Sequence, residues 1–557
     1  MSNSSKSKHN SSQKSNTSQK SNTSHKNNTS QKHSSSQKYT FDRFRPNRPV
    51  DIVNIIYLIF MTSLFSFYMH NKYHDITITR AKIFSSVTLV YLILVVIAYV
   101  LEIFMVEYYQ PELSLKDLFY KDTKWYLMPE LWAVLFGLAN LFAWFMSPNK
   151  KGSWDGSTGR YMGLSFITVL VLAFILVSRG TPIQWPVLIS LFGTSTCAFI
   201  VALLQHFGND PFALRARVVE KQKEMFISFF GNINTYGSYI CVVLPIFIAL
   251  FIFSEKYWVR ALAGAGVFFS SMGIIPSKSD NVYLGVGLAY IVIFYIAIYY
   301  KKLTEFMFSV LLLGTGLLVV AYANYILSGS QKHINGIAVI VENPKIMTLF
   351  VVIVIVASML LLFFRGVNYE MYKNLQSKQT LYIITGVGVF AFILVMFFGI
   401  RSGNEIFVFN DKWGTFRGYI WRRSWDVFLN GTALQKIFGH GNETIKENMM
   451  VFYQEMKDIT NKTYDNSHCE FLQYLVTTGL FGAISYYAMA GTSFAYIIKR
   501  MKGDAIAIAC LAGSIGYLVQ GLVNLNQPIT TPYYFVLLAA GVGYVRFRDQ
   551  RVAAEEE

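Results

Sequence analysis

Charge is what this chain has least of. Only 15% of its 557 residues are Asp, Glu, Lys or Arg, while 53% are hydrophobic and 16% aromatic. Soluble globular domains carry roughly 25% charged residues. A soluble protein of this length would lack the surface to stay in water, so lipid is the expected solvent. Cysteine is scarce too. Four residues exclude a disulfide-stapled scaffold. Cys197, Cys241 and Cys510 lie in apolar runs, and Cys469 alone has polar neighbours. No CxxC or Cys/His pattern with metal-ligand spacing occurs, so no metal and no cofactor is expected. Strictly alternating ten-residue segments are also missing, which argues against a closed β-barrel. The first 40 residues hold no apolar run, and no cleavable signal peptide is expected.

What is present is a series of long apolar runs. A membrane crossing takes about 20 mostly apolar residues, at 1.5 Å of rise through roughly 30 Å of hydrocarbon. With no water to satisfy backbone groups, such runs must be helical. Fourteen qualify, at 51–69, 83–105, 129–147, 161–178, 184–206, 232–253, 258–275, 282–300, 306–326, 346–364, 381–400, 472–498, 505–524 and 531–546. The expected fold is an all-α integral membrane protein with about 12–14 transmembrane helices and one large helical extracytoplasmic loop. Its segments are a disordered basic tail (1–50), spans 1–11 (51–400), the loop (401–471), spans 12–14 (472–546) and a short C-terminal tail (547–557).

The first 50 residues repeat a six-residue unit: Ser12-Gln13-Lys14, then Ser18-Gln19-Lys20, through to Ser36-Gln37-Lys38. Nothing in them can be buried, so disorder is expected. They carry seven Lys and three Arg against the single acid Asp42, hence +9 of the chain's +17. Basic segments favour the cytoplasmic side, where anionic headgroups attract them. Both termini are therefore expected in the cytoplasm, and the protein in the cytoplasmic membrane. That orientation leaves the opposite face unusually basic, which suits an anionic substrate.

The long segment 401–471 then falls outside. Trp413 to Asn430 reads as one helix and Glu443 to Asn461 as a second. A loop of this length in a compact protein is usually functional. It ends in Tyr464-Asp465-Asn466-Ser467-His468-Cys469-Glu470, directly before an apolar run. Ser467 and Glu470 have capping-box spacing, which predicts His468 in the first turn of the next helix. The positive end of that helix would attract anions and keep the imidazole neutral. Asp465 is placed to orient the ring.

His468, Leu472, Gly479 and Gly482 fit the spacing H-x-x-x-L-x6-G-x-x-G. Gly231-Asn232-Ile233-Asn234, Arg417-Gly418-Tyr419-Ile420-Trp421, Gly439-His440-Gly441, Gly208-Asn209-Asp210-Pro211 and Gly159-Arg160-Tyr161-Met162-Gly163-Leu164 follow a similar order. Over about 129–545 the set resembles the O-antigen ligase family, which includes repeat-unit polymerases and bacterial protein O-oligosaccharyltransferases. Two positions depart from its pattern. Cys469 stands where the family has Asn, Ser or Gln, and Lys278 where it often has Arg. The resemblance implies a GT-C-like, metal-independent, inverting glycosyltransferase. Its donor would be a glycan on undecaprenyl diphosphate, and its acceptor a hydroxyl of a glycan, lipid or protein. A polymerase would differ only in the acceptor. Membrane lipids are expected partners, and nucleic acid is not.

This chemistry needs a base for the hydroxyl and cations for the departing diphosphate. His468 is the candidate base and Arg417 the leading catalytic cation. Arg215, Arg217, Lys278, Arg401 and Arg422 are candidate diphosphate ligands, with Asn232, Asn234 and Asp465 beside them. Arg215 and Arg217 fit equally well as interface anchors, Lys278 as a snorkelling cation, and the asparagines as helix caps. A transporter or lipid-glycan flippase is the competing class. It fits the number of spans, but ion-coupled carriers place ionisable groups inside them, and Glu102 stands nearly alone there.

Overall fold

The computed structural model describes residues 48–104, 124–328, 338–403 and 407–556. The N-terminal repeats lie outside the described residues. Seventeen helices frame the bundle and its long loop, with further short helices in the connections. They are α1 (Pro49–Thr62, continued by Leu64–Phe67), α2 (Ile76–Phe104), α3 (Pro129–Met146), α4 (Leu164–Ser178), α5 (Trp185–His206), α6 (Ile233–Phe253), α7 (Tyr257–Met272), α8 (Asp280–Tyr299), α9 (Leu303–Ser328), α10 (Pro344–Val367) and α11 (Lys378–Arg401). Then follow α12 (Trp413–Asn430), α13 (Ala433–Phe438), α14 (Tyr453–Thr460), α15 (Glu470–Arg500), α16 (Ala505–Gly521) and α17 (Thr531–Glu556). Among the described residues the strands are two short ones, Phe226–Ile227 paired antiparallel with Gly231–Asn232.

Each of the fourteen expected spans falls on a helix. Nine are long and apolar enough to cross a membrane by themselves. The other five are shorter (α4, α7, α16) or carry more polar residues (α15, α17). Their place in the bundle explains the difference. Helix α15 packs along α3, and α16 along α6 and α8. A helix covered by other helices can carry Ser, Thr and Tyr where a lipid-facing one cannot. Helix α11 is the opposite case: none of its residues is buried, and no charged residue lies between Lys378 and Arg401 at its two ends. The protein is an all-α, multispan membrane protein.

The helix ends sort into two groups. At one end the carboxylates of α1–α3 hold basic residues of α17 and the arginine that precedes α1. Arg48 pairs with Glu102 at 3.0 Å, Arg546 with Glu130 at 2.9 Å and Arg551 with Asp51 at 3.9 Å. At the other end the connections 147–163, 207–232, 273–279 and 407–469 gather. Arg160 bonds Asp465 across them, Lys72 bonds the carbonyl of Ala213, and Asn234 accepts from Ser279. Beneath them the fully buried Arg80 donates to the carbonyls of Ser66 and Phe229.

Candidate functional site

The loop after α11 begins with an unusual turn. Gly414, Thr415 and Phe416 all have positive φ, so α12 starts in earnest only at Arg417. Three left-handed residues in a row, two of them not glycine, are costly. They turn the chain so that Gly418, Tyr419 and Ile420 are buried while Arg417 stays half-buried. The expected second helix is broken into Ile445–Met449, the 3-10 turn Met450–Phe452 and α14.

Glycines hold the loop against the bundle. Helix α15 is interrupted at Gly479, whose φ is 66°. The carbonyls of Val476 and Thr477, beside the break, accept from the amides of His440 and Gly441 at 3.0 Å each. Backbone meets backbone there. A Cβ on Gly439 would lie 2.1 Å from the Thr477 carbonyl oxygen, and one on Gly479 2.3 Å from that of Ile437. The spacing between His468 and Gly479 thus measures the distance from the helix start to its docking break.

His468 is not in the first turn of α15. The helix begins at Glu470 with Cys469 as its cap, so the expected Ser467/Glu470 capping box does not form. Glu470 turns inward instead and accepts from the hydroxyls of Tyr486 and Tyr517 at 2.9 Å each. Such a box does close one loop helix, α13, between Thr432 and Gln435. Buried Ser467 donates its amide to Gln473 and meets the Ser424 hydroxyl at 3.1 Å. His468 itself has φ 49°, and its amide bonds the Asn466 side chain at 2.8 Å. A left-handed residue braced on both sides presents its ring in one direction.

Three charged side chains, Arg417, Arg160 and Asp465, act on that ring. Arg160 donates to Asp465 at 3.0 Å, and its backbone amide donates to Glu443. Arg417 makes no side-chain hydrogen bond or ion pair with a described residue. Burial, then the Arg417 charge, then Arg160 push the imidazole pKa down to about 4, with Asp465 opposing. The neutral form therefore owes more to burial and two guanidiniums than to a helix end. Arg417 is itself pushed down by burial, with Asp280 opposing. Glu443 is 3% exposed and pushed up to about 7, by burial first and by Asp465 among lesser causes. Gly159 makes room for it, since a Cβ there would sit 2.0 Å from the carboxylate. Four polar atoms here are buried without a described protein partner: His468 Nδ1, Asn466 Nδ2, Tyr464 Oη and Arg160 Nε. Buried polar groups are rarely left so.

The structure thus brings His468, Arg417 and Asp465 together and adds Arg160 and Glu443. The signal for Arg160 was its place in the Gly159–Leu164 motif. Glu443 carried no signal, because its burial is created by the chain crossing at Gly159. The remaining candidates lie apart. Arg422 pairs with Asp411 at 2.5 Å, and its neighbour Arg423 with Asp426 and Glu455. Arg401 ends α11, exposed. Asn232 caps α6 by accepting from the Asn234 amide. Asn234 accepts from Ser279, and its carbonyl takes Asn281 and Asn524 in a buried polar network. Exposed Arg217 bonds Asn71 at 2.6 Å. Arg215 and Lys278 line a separate cavity of about 540 Å³.

Residues 334–487 match the model of the family described as O-antigen ligase. The match takes in Arg417, Gly439, Gly441, His468, Gly479 and Gly482. No curated protein matches the chain.

Proposed function

We propose that the chain, whose residues 334–487 match the O-antigen ligase family, is a membrane glycosyltransferase of that family and transfers a glycan from undecaprenyl diphosphate to an acceptor hydroxyl on the outer face of the cytoplasmic membrane. The observation that carries this reading is His468. A neutral imidazole with one buried, unpartnered nitrogen stands beside two guanidiniums.

The chemistry follows from those three groups. The acceptor oxygen attacks the anomeric carbon as the bond to the diphosphate oxygen breaks. The imidazole takes the hydroxyl proton, and the electron pair leaves with the lipid diphosphate. Attack opposite the leaving group inverts the anomeric centre. Charge accumulates on the diphosphate, and Arg417 has no competing ion pair among the described residues, so it is the ligand for that charge. Arg160 assists while anchored to Asp465. Two guanidiniums supply the stabilising charge that a metal would otherwise provide, so transfer proceeds without one. Asn232, Asn234, Arg217, Arg401 and Arg422 serve as structural or surface contacts apart from this centre.

The test is transfer by purified protein given a lipid-diphosphate glycan and candidate acceptors. Arg417→Gln is expected to lower kcat, without added metal and in the presence of chelator. Unchanged kcat in that variant would remove Arg417 from the mechanism. Transfer to a second lipid-linked repeat, rather than to another acceptor, would make the protein a polymerase.

A further inference from the structure

The cavity between α5 and the connections 207–232 and 273–279 is distinct from the His468 centre. Gln205, His206, Asp210, Arg215, Glu224 and Lys278 line it, with Phe207 beside them. Its charges cancel. Arg215, Lys223 and Lys278 are matched by Asp210, Glu220 and Glu224. Each cation is also occupied. Lys278 pairs with Glu224 at 2.8 Å and Lys223 with Glu220 at 2.6 Å. The Arg215 guanidinium donates to the carbonyls of Phe226 and Gln205, at 2.8 and 2.9 Å. A diphosphate entering here would have to displace carboxylates already in place, and would meet three of them.

What the cavity offers is a wall of no net charge that carries both hydrogen-bond donors and acceptors. Gln205 ties Asp210 at 2.8 Å, and His206 bonds Asn324 at 2.8 Å. The aromatic ring of Phe207 adds an apolar face. That mixture matches a polyhydroxylated ring, whose hydroxyls both give and accept and whose C–H faces are apolar. The volume of about 540 Å³ is in the range of small-molecule sites. The cavity also opens at the same end as His468. Lys278 lies two residues from Asp280, whose charge reaches Arg417.

We propose that this cavity is a carbohydrate subsite, holding sugar residues of the donor's glycan or of the acceptor while His468 acts on the reacting sugar. The proposal rests on the transferase reading above. It assigns Arg215 and Lys278 to sugar hydroxyls rather than to diphosphate.

The experiment is amide hydrogen exchange on the full-length protein in lipid nanodiscs. The probes are neutral malto-, chito- and galacto-trioses and, separately, inorganic pyrophosphate. At least one triose slows exchange in residues 205–227, equally at low and high salt, and pyrophosphate does not. Ala216 is exposed and lines the cavity, so Ala216→Trp fills it and abolishes the protection. His468→Ala retains it. In transfer assays Ala216→Trp raises one KM roughly tenfold, the equivalent of about 1.4 kcal/mol. A raised donor KM places the donor's glycan in the cavity, and a raised acceptor KM the acceptor's. Protection by pyrophosphate alone, no protection by any triose, or protection that survives Ala216→Trp overturns the proposal. An active His468→Ala enzyme would instead remove the base and leave the sugar result standing.

Discussion

His468 is held in a backbone conformation that a residue with a side chain adopts at a cost, which makes the direction of its ring a property of its neighbours. Its proton affinity is set by them as well. The free enzyme's kcat/KM is therefore expected to stay flat from neutral pH down to about 5 and to fall only near pH 4, where the imidazole takes a proton. Removing either positive neighbour reverses part of the depression. Arg417→Gln and Arg160→Gln should both move the acidic limb upward, toward the ordinary histidine value. A limb that stays in place in both variants would show that the guanidiniums do not act on the ring. Glu443 gives a stability test with the opposite sign. Its folded pKa lies above its unfolded one, so it binds a proton more tightly when folded. The cost of ionising it appears as pH rises through about 7. Glu443→Gln should melt a few degrees above wild type at pH 8, by roughly 2–4 °C, and the gap should close at pH 5. Equal melting at both values would contradict the buried carboxyl.

At the scale of elements, the break in α15 is what joins the loop to the bundle. Gly479→Ala and Gly439→Ala each put a methyl group against a carbonyl at a left-handed position. Each should cost about 2–4 kcal/mol and loosen the loop. Faster hydrogen exchange over 433–449, with the other helices unchanged, is the expected readout. Elements of this kind mark the limit of what the amino-acid order reveals. Each of the fourteen expected spans falls on a helix, and nine of these helices are long and apolar enough to cross a membrane, because length and hydropathy act locally. His468, Arg417 and the glycine spacing were legible as a pattern. The capping box was misread because Ser467–Glu470 obeys the local rule, yet Glu470 finds two buried tyrosine hydroxyls instead. The neighbourhood of Glu443 was illegible, since Gly159 and Glu443 lie 284 positions apart and meet only in three dimensions. The same holds for Lys278. Its charge stands out in the sequence, while its partner Glu224 belongs to a different loop.

At the scale of the whole molecule, the connections that carry the proposed chemistry share one end, and the ion pairs of the chain's first and last helices share the other. Single cysteines at exposed Thr463 and Glu220 should react with a membrane-impermeant thiol reagent applied outside the cell. One at exposed Lys373 should react only after permeabilisation. The opposite labelling would invert the proposed orientation. The central claim is narrower, and its test is a rate. Purified wild-type protein and His468→Ala, matched for folding and donor binding, are given a lipid-diphosphate glycan and an acceptor. General-base catalysis accounts for roughly a hundredfold to ten-thousandfold of rate, and a loss of that size with donor affinity intact is the predicted result. Turnover by His468→Ala at the wild-type rate would contradict it.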